Sequence, residues 1–249
     1  MKKTILISPG DSTIGNLLTQ FALGDDAHVI SLVEEEGPRT GAASKTKKKG
    51  GGGKAKETTG DGPKEKNETG TSSDLLGFEL KYNWRSPLSA PQVRTEAVNR
   101  YGGIDEAILL YEMRGENKPL QDLSSSSMEE EIDRGIKGTF FLLRELVNLF
   151  QRKRTGVLTF VLYQARETLH SPLGSTVMGG IRGLVNALFT IYQNESYVIN
   201  GVDIHSVSAE EAADYVWKIH VEKARHSQGK WFKMSDRSSF LQSFMHRGR

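Results

Sequence analysis

The sequence predicts a doubly wound α/β fold, a mostly parallel sheet of six or seven strands with helices packed on both faces in three layers. Three observations carry this expectation. Short apolar runs of β character alternate with stretches of helical spacing along the chain. The runs themselves, such as Val29-Ile30 and Leu32-Val33, are apolar at successive positions, which suits strands buried on both faces. At 249 residues and 37% hydrophobic content, the chain can fill one core of this kind, so a single domain over 1–249 is expected.

Thr4 to Ile7 reads as the first strand, ended by Pro9-Gly10. Ile14, Leu17, Leu18, Phe21 and Ala22 then recur at helical spacing, and His28 to Val33 supplies the next strand, so the chain opens as a βαβ unit. From 37 to 74 the composition shifts to Gly, Lys, Thr, Ser and Glu, with alanine the only aliphatic side chain. Such a segment cannot bury enough surface to offset its ordering entropy, and a flexible insertion after the second strand is expected. Its six lysines between 45 and 56 offer a candidate contact to an anionic surface such as nucleic acid or lipid headgroups. No aromatic residue interleaves with them, so base stacking is not indicated.

The alternation resumes with a strand over Leu76 to Trp84, a helix over Pro91 to Tyr101 ended by Gly102-Gly103, and a strand over Ala107 to Tyr111. Ser127 and Glu130 are spaced as a capping box for a long helix whose apolar face is Ile132, Ile136, Phe140, Leu143, Val147 and Phe150. Glu129, Glu130 and Glu131 at its start and Arg152, Lys153 and Arg154 at its end suit the helix dipole. A strand over Val157 to Leu162, a helix over Thr176 to Gln193, a strand over Tyr197 to Val202, a helix over Ala209 to Lys223 and a strand over Lys230 to Met234 complete the pattern. Gly179, Gly180 and Gly183 weaken the helix over Thr176 to Gln193 unless a neighbouring helix or subunit packs closely on that face. The tail over 236–249 carries Phe240, Leu241, Phe244 and Met245, apolar enough to dock on its own subunit or on a neighbour.

With 33 basic and 31 acidic side chains the net charge is only +2, far from that of a dedicated nucleic-acid binder. The absence of cysteine excludes disulfides, thiolate metal sites and a cysteine nucleophile. His170, His205, His220 and His226 show no metal or triad spacing, so no metal is expected. The apolar start is too short for a signal-peptide core and no later run spans a membrane, so a soluble, cytoplasmic protein is expected.

Ile132 to Phe140 with its Gly135 and Gly138, Gly183-Leu184-Val185-Asn186-Ala187-Leu188, Val198-Ile199-Asn200 and Gly229-Lys230-Trp231-Phe232 fall in an order that resembles the short-chain dehydrogenase/reductase family. The likeness covers nearly the whole chain outside the insertion. It implies a Rossmann-type, NAD(P)-binding, oxidoreductase-like fold. The family's first turn, Thr-Gly-x-x-x-Gly-x-Gly, brings backbone close to the cofactor phosphates. Here the corresponding stretch is Ser8-Pro9-Gly10-Asp11-Ser12-Thr13-Ile14-Gly15. Gly10, Asp11, Ile14 and Gly15 become candidate cofactor positions. Proline removes a donor and Asp11 adds negative charge, so phosphate binding is expected to be weakened. Glu34, 19 residues beyond Gly15, stands where an acid would accept from the adenosine ribose of NAD, or is simply a solvated strand exit together with Glu35 and Glu36. The family's Asn-Asn-Ala-Gly stretch corresponds to Leu109-Leu110-Tyr111-Glu112, which puts bulk and charge where small groups belong.

Family catalysis uses a tyrosine for proton transfer, a lysine one helical turn away that lowers its pKa, a serine and an asparagine. Carried onto this chain, the tyrosine falls at Gly174, the lysine at Met178, the asparagine at Gly135 and the serine near Leu162. None of these can move a proton. Tyr163, with Arg166 three residues on, is the one candidate substitute, against a plain packed ring. The expectation is therefore a pseudoenzyme: a catalytically degenerate relative acting as a binding or assembly module. The resemblance also implies a homodimer or homotetramer through helices around 129–150 and 176–193. An NAD(H)- or NADP(H)-dependent oxidoreductase with a variant turn is the alternative, and anion binding through 45–56 a third reading.

Overall fold

A computed structural model describes residues 2–35, 77–113, 118–165 and 171–235. Seven strands, β1 (Thr4–Ser8), β2 (His28–Glu34), β3 (Phe78–Tyr82), β4 (Glu106–Glu112), β5 (Val157–Gln164), β6 (Val198–His205) and β7 (Trp231–Ser235), form one sheet. Their order is β3-β2-β1-β4-β5-β6-β7, and every neighbouring pair is parallel. The chain winds outward from β1 in one direction and then, from β4, in the other. The strand order therefore reverses between β1 and β4, and ligand crevices of open α/β sheets open at the carboxyl ends of such a pair. The expected insertion over 37–74 and the tail over 236–249 lie outside the described residues.

Helices α1 (Thr13–Gly24), α2 (Ser89–Tyr101), α3 (Ser125–Ile132), α4 (Thr139–Lys153), α5 (Pro172–Ile191) and α6 (Ala209–Glu222) cover the sheet. Alternation along each strand divides the core into two layers. Leu6, Leu109, Tyr111, Phe160 and Leu162 pack beneath α2, α4 and α5, while Ile5, Ile7, Leu110, Val161 and Tyr163 pack beneath α1 and α6. β1 is buried at every residue and β4 at all but its last, which explains their unbroken apolar runs.

The long helix expected after Ser127 differs from the structure in three ways. Its N-cap is Ser124, whose hydroxyl accepts from the Ser127 amide, so Glu129, Glu130 and Glu131 stand beyond the first turn. Between α3 and α4 the chain makes a π-helical turn over Asp133–Gly138. The wider turn shifts the helical phase, so Gly135 and Gly138 face inward while Ile132 and Phe140 of the expected apolar stripe are 41% and 50% exposed. At the far end Arg152 and Lys153 do lie in the last turn, with Arg154 as a left-handed C-cap. The helix α5 starts earlier than expected, capped by the Ser171 hydroxyl with Pro172 at its first position.

Candidate functional site

At the switch point, Ser8 and Pro9 of the β1 exit and Leu109 to Glu112 of the β4 exit form two walls of a cleft, closed below by Arg134, Gly135 and Thr139. The first turn shapes its mouth. Gly10 has no room for a side chain, because a Cβ there would stand 1.8 Å from the Ser31 hydroxyl, and its amide donates to Leu32 O at 2.6 Å. A Cβ on Gly15 would meet Pro9 O at 2.1 Å, so this glycine lets α1 sit directly on the turn. The Gly15 amide donates to the Ser12 hydroxyl at 3.0 Å, the N-cap of α1. Thus the amides of both glycines are engaged within the chain, and Pro9 offers none. Ile14 is fully buried against the sheet. Across the cleft mouth, the carboxylate of Asp11 accepts from the Glu34 amide at 3.5 Å, while Glu34 itself is exposed.

Two aromatic side chains occupy the cleft floor. The Tyr111 ring lies over Gly135, where a Cβ would come within 3.1 Å of it and within 2.3 Å of Val177. Its hydroxyl donates to Glu131 at 2.7 Å, and Arg134 pairs with the same carboxylate. Trp84 rests on Gly138, where a Cβ would come within 2.4 Å of the indole, and meets Tyr82 edge to face with centroids 4.4 Å apart. The Tyr82 hydroxyl, held protonated by burial, which raises its pKa, donates to Gly138 O at 2.8 Å. The two glycines of the π turn are therefore seats for rings delivered by β4 and by the segment after β3. About 30 Å³ of free space is left in the cleft, room for about two waters. Ser8, 2% exposed, keeps a hydroxyl without a hydrogen-bond partner at the β1 exit.

Gly135 borders this cleft, but Leu162, Gly174 and Met178 are packed in the core of the same layer or beneath the α5 cap. Tyr163 points to the other layer, among Ile5, Ile7 and Val202, and its hydroxyl donates to Val207 O at 2.9 Å. Arg166, its expected partner, lies outside the described residues. Among the described residues no group of three or more histidines and acids is arranged to hold a metal ion. None of their helices is long and apolar enough to cross a membrane.

Two of the histidines, instead of being scattered, anchor buried polar networks at opposite edges of the sheet. At the amino edge, Glu106 accepts from Lys3 (2.7 Å), His220 (2.9 Å) and Arg225 (2.8 Å), and the other His220 nitrogen meets the Thr159 hydroxyl at 2.8 Å. Burial pushes the Glu106 carboxyl up, but the hydrogen bonds from His220, Arg225 and Lys3 and the charge of His220 outweigh it and hold the group well below the usual carboxylate range. At the carboxyl edge, Asp203 is held the same way by His205 and Arg182. Burial again raises its carboxyl, and the hydrogen bonds and charges of the two partners win, so the group is strongly lowered. Neither network has a contiguous sequence signature, since each joins three or more elements. The Asp203-x-His205 spacing, which puts both side chains on one face of a strand, was the available signal.

No protein-family model and no curated protein matches the sequence. Solved structures match the fold over most of its length. ElxO with NADP bound is 13% identical with a TM-score of 0.70, the match covering 96% of this chain and 100% of that one. A short-chain dehydrogenase from Leptospira borgpetersenii with bound NAD+ is 13% identical with a TM-score of 0.68, covering 94% of this chain and 91% of that one. Serine dehydrogenase from Escherichia coli is 14% identical with a TM-score of 0.66, covering 93% and 97%. The chain has the Rossmann-type fold of the short-chain dehydrogenases.

Proposed function

We propose that this chain is a non-redox binding or assembly module built on a dehydrogenase fold. The observation that carries the reading is the occupied switch-point cleft, with Trp84 and Tyr111 seated on Gly138 and Gly135 and about 30 Å³ left between the walls. Ligand pockets for small molecules span roughly 300–1,000 Å³. The turn that would hold a pyrophosphate spends its Gly10 and Gly15 amides on Leu32 and Ser12 and adds the Asp11 carboxylate. Groups of this kind do not fit a dinucleotide. Gly135, Leu162, Gly174 and Met178 at the family's catalytic positions leave proton transfer without a donor or base there.

The assembly surface in this reading is the outer side of the α3–α4 pair and α5, as a homodimer or homotetramer. Among the described residues, nothing lies within 4 Å of a Cβ built on Gly179 or Gly183, so the close packing that these glycines permit is not supplied by them. Phe140 and Ile132 are exposed on the adjoining helices. Light scattering at micromolar concentration is expected to give a dimer or tetramer, and a monomer would remove the assembly half of the proposal.

A second reading, an NAD(H)- or NADP(H)-dependent oxidoreductase, is favoured by one observation: similar structures carry NADP or NAD+. It requires Trp84 and Tyr111 to leave the cleft. It also requires a proton-transfer group other than Tyr163, whose hydroxyl is spent on Val207 O in the opposite layer. Cofactor titration by thermal shift separates the two, because a ligand that binds only the folded state raises its melting temperature with concentration. No shift with millimolar NAD(H) or NADP(H) is expected, and a dose-dependent rise would establish the second reading. The lysines at 45–56 lie outside the described residues. Deleting 41–71 and measuring salt-sensitive binding to nucleic acid or anionic vesicles tests that role separately.

A further inference from the structure

The carboxyl ends of β4, β5 and β6 are joined to α5 by a polar chain that lies outside the cleft. Arg182 of α5 donates through both terminal nitrogens to Asp203 of β6, at 2.9 and 2.7 Å. Asp203 is 4% exposed and also faces Nε2 of His205 at 2.9 Å. Nδ1 of His205 lies 2.9 Å from Oε1 of Gln164 at the end of β5. The Gln164 amide nitrogen in turn donates to the sulfur of Met113, at the exit of β4, at 3.5 Å. With the amide turned this way its nitrogen has an acceptor, and its oxygen is the atom presented to the ring. Both imidazole nitrogens therefore face oxygens that accept, and the complete set of bonds needs a proton on each.

Among the described residues, few charged groups surround the ring. Asp203 comes from its own strand, Arg182 from α5 with its guanidinium 5.2 Å over the Trp231 ring, and exposed Lys233 is the register neighbour of Asp203 on β7. Gln164 on β5 is neutral. The His205 side chain is about one third exposed, so solvent protons reach it without unfolding, whereas His220 at the other edge is fully enclosed.

We infer that His205 is a pH-responsive latch: as the imidazolium it ties the exit of β6 to that of β5 and, through Gln164, to Met113 of β4. Removing either proton turns a nitrogen lone pair toward an accepting oxygen, and that tie opens while the Arg182–Asp203 pair stays closed. Imidazole gains its charge as pH falls, so the latch closes on the acid side and opens on the alkaline side. Met113 follows Glu112 of the cleft wall, and its amide donates to Tyr163 O at 2.9 Å, so opening loosens the rim of the cleft. The latch holds whether the cleft accepts a dinucleotide or not.

Amide hydrogen exchange of the full chain tests it at two reporters, the Ser206 amide, which donates to Gln164 O at 2.9 Å, and the Met113 amide. After correction for intrinsic exchange, protection at both is expected to be roughly tenfold greater near pH 5.5 than near pH 8.5, and His205→Gln is expected to abolish the difference. Side-chain 15N spectra of the wild-type protein provide a readout that needs no variant. They are expected to show both His205 nitrogens protonated on the acid side, with the Gln164 amide signals shifting as the ring titrates. Equal protection at both pH values, an unchanged difference in His205→Gln, or a Gln164 amide indifferent to the ring would overturn the latch.

Discussion

The two edges of the sheet each bury a carboxylate between cations, and they do so to different effect. At the amino edge Glu106 is 3% exposed and gathers Lys3, His220 and Arg225, three cationic or proton-donating groups from the residue before β1, from α6 and from the turn after it. The His220 ring is sealed completely, with its second nitrogen on Thr159. At the carboxyl edge Asp203 has the same chemistry, but its histidine reaches solvent and continues to Gln164 and Met113. The first node is a staple whose state is fixed once the chain folds. The second can change with its surroundings, and it lies at the edge where α/β sheets place their ligands. Seating Trp84 and Tyr111 in the switch-point cleft has thus not made the two edges equivalent.

Glu106→Ala probes the sealed side of this contrast most severely, because it strands fully buried His220 and partly buried Arg225 together. Denaturant unfolding is expected to show a loss of about 3–5 kcal/mol, whereas a loss under 1 kcal/mol would mean the node is no staple. In the cleft, Gly138→Ala drives a methyl into the Trp84 ring, and the same measurement should show a loss of about 1–3 kcal/mol. A neutral result would mean that the indole is free to leave. Ser12→Ala removes the α1 cap at the cleft mouth and is expected to lose about 1 kcal/mol.

Acid unfolding sharpens the comparison further. The folded Glu106 carboxyl lies below its ordinary value of 4.5, so its contribution is present above that pH and is lost as pH falls beneath it. Asp203 behaves in the same sense from its ordinary value of 3.8. Stability measured between about pH 6 and pH 3 is therefore expected to fall with pH, and less steeply in Glu106→Gln. Identical slopes would assign the acid sensitivity to other groups.

Most of the sheet was legible in the sequence because strands buried on both faces leave apolar runs with no gaps, as in Ile5 to Ile7 and Ala107 to Tyr111. The π turn was not, since Gly135 and Gly138 face inward only because rings from β4 and from the segment after β3 need those seats. The same blindness placed Phe140 in the core by a regular helical count. The run of serines at 124–127 offered several possible caps, and the one chosen depends on where the chain enters the helix. Gly10 and Gly15 stood out through the family resemblance as candidate cofactor positions, whereas the packing that requires a glycine at each, against the Ser31 hydroxyl and the Pro9 carbonyl, is tertiary. His205 and Asp203 were visible as neighbours on one strand face, while Gln164 comes from β5 and Arg182 from α5 and could not be read from spacing.

In the proposed reading, the chain's own Trp84 and Tyr111 stand at the switch point where a dinucleotide would lie. Calorimetric titration of the full chain with NAD(H) and NADP(H) at millimolar concentration, repeated on Trp84→Ala, tests it most directly. The account predicts no binding heat for the wild-type protein. Saturable binding by the wild-type protein would contradict it.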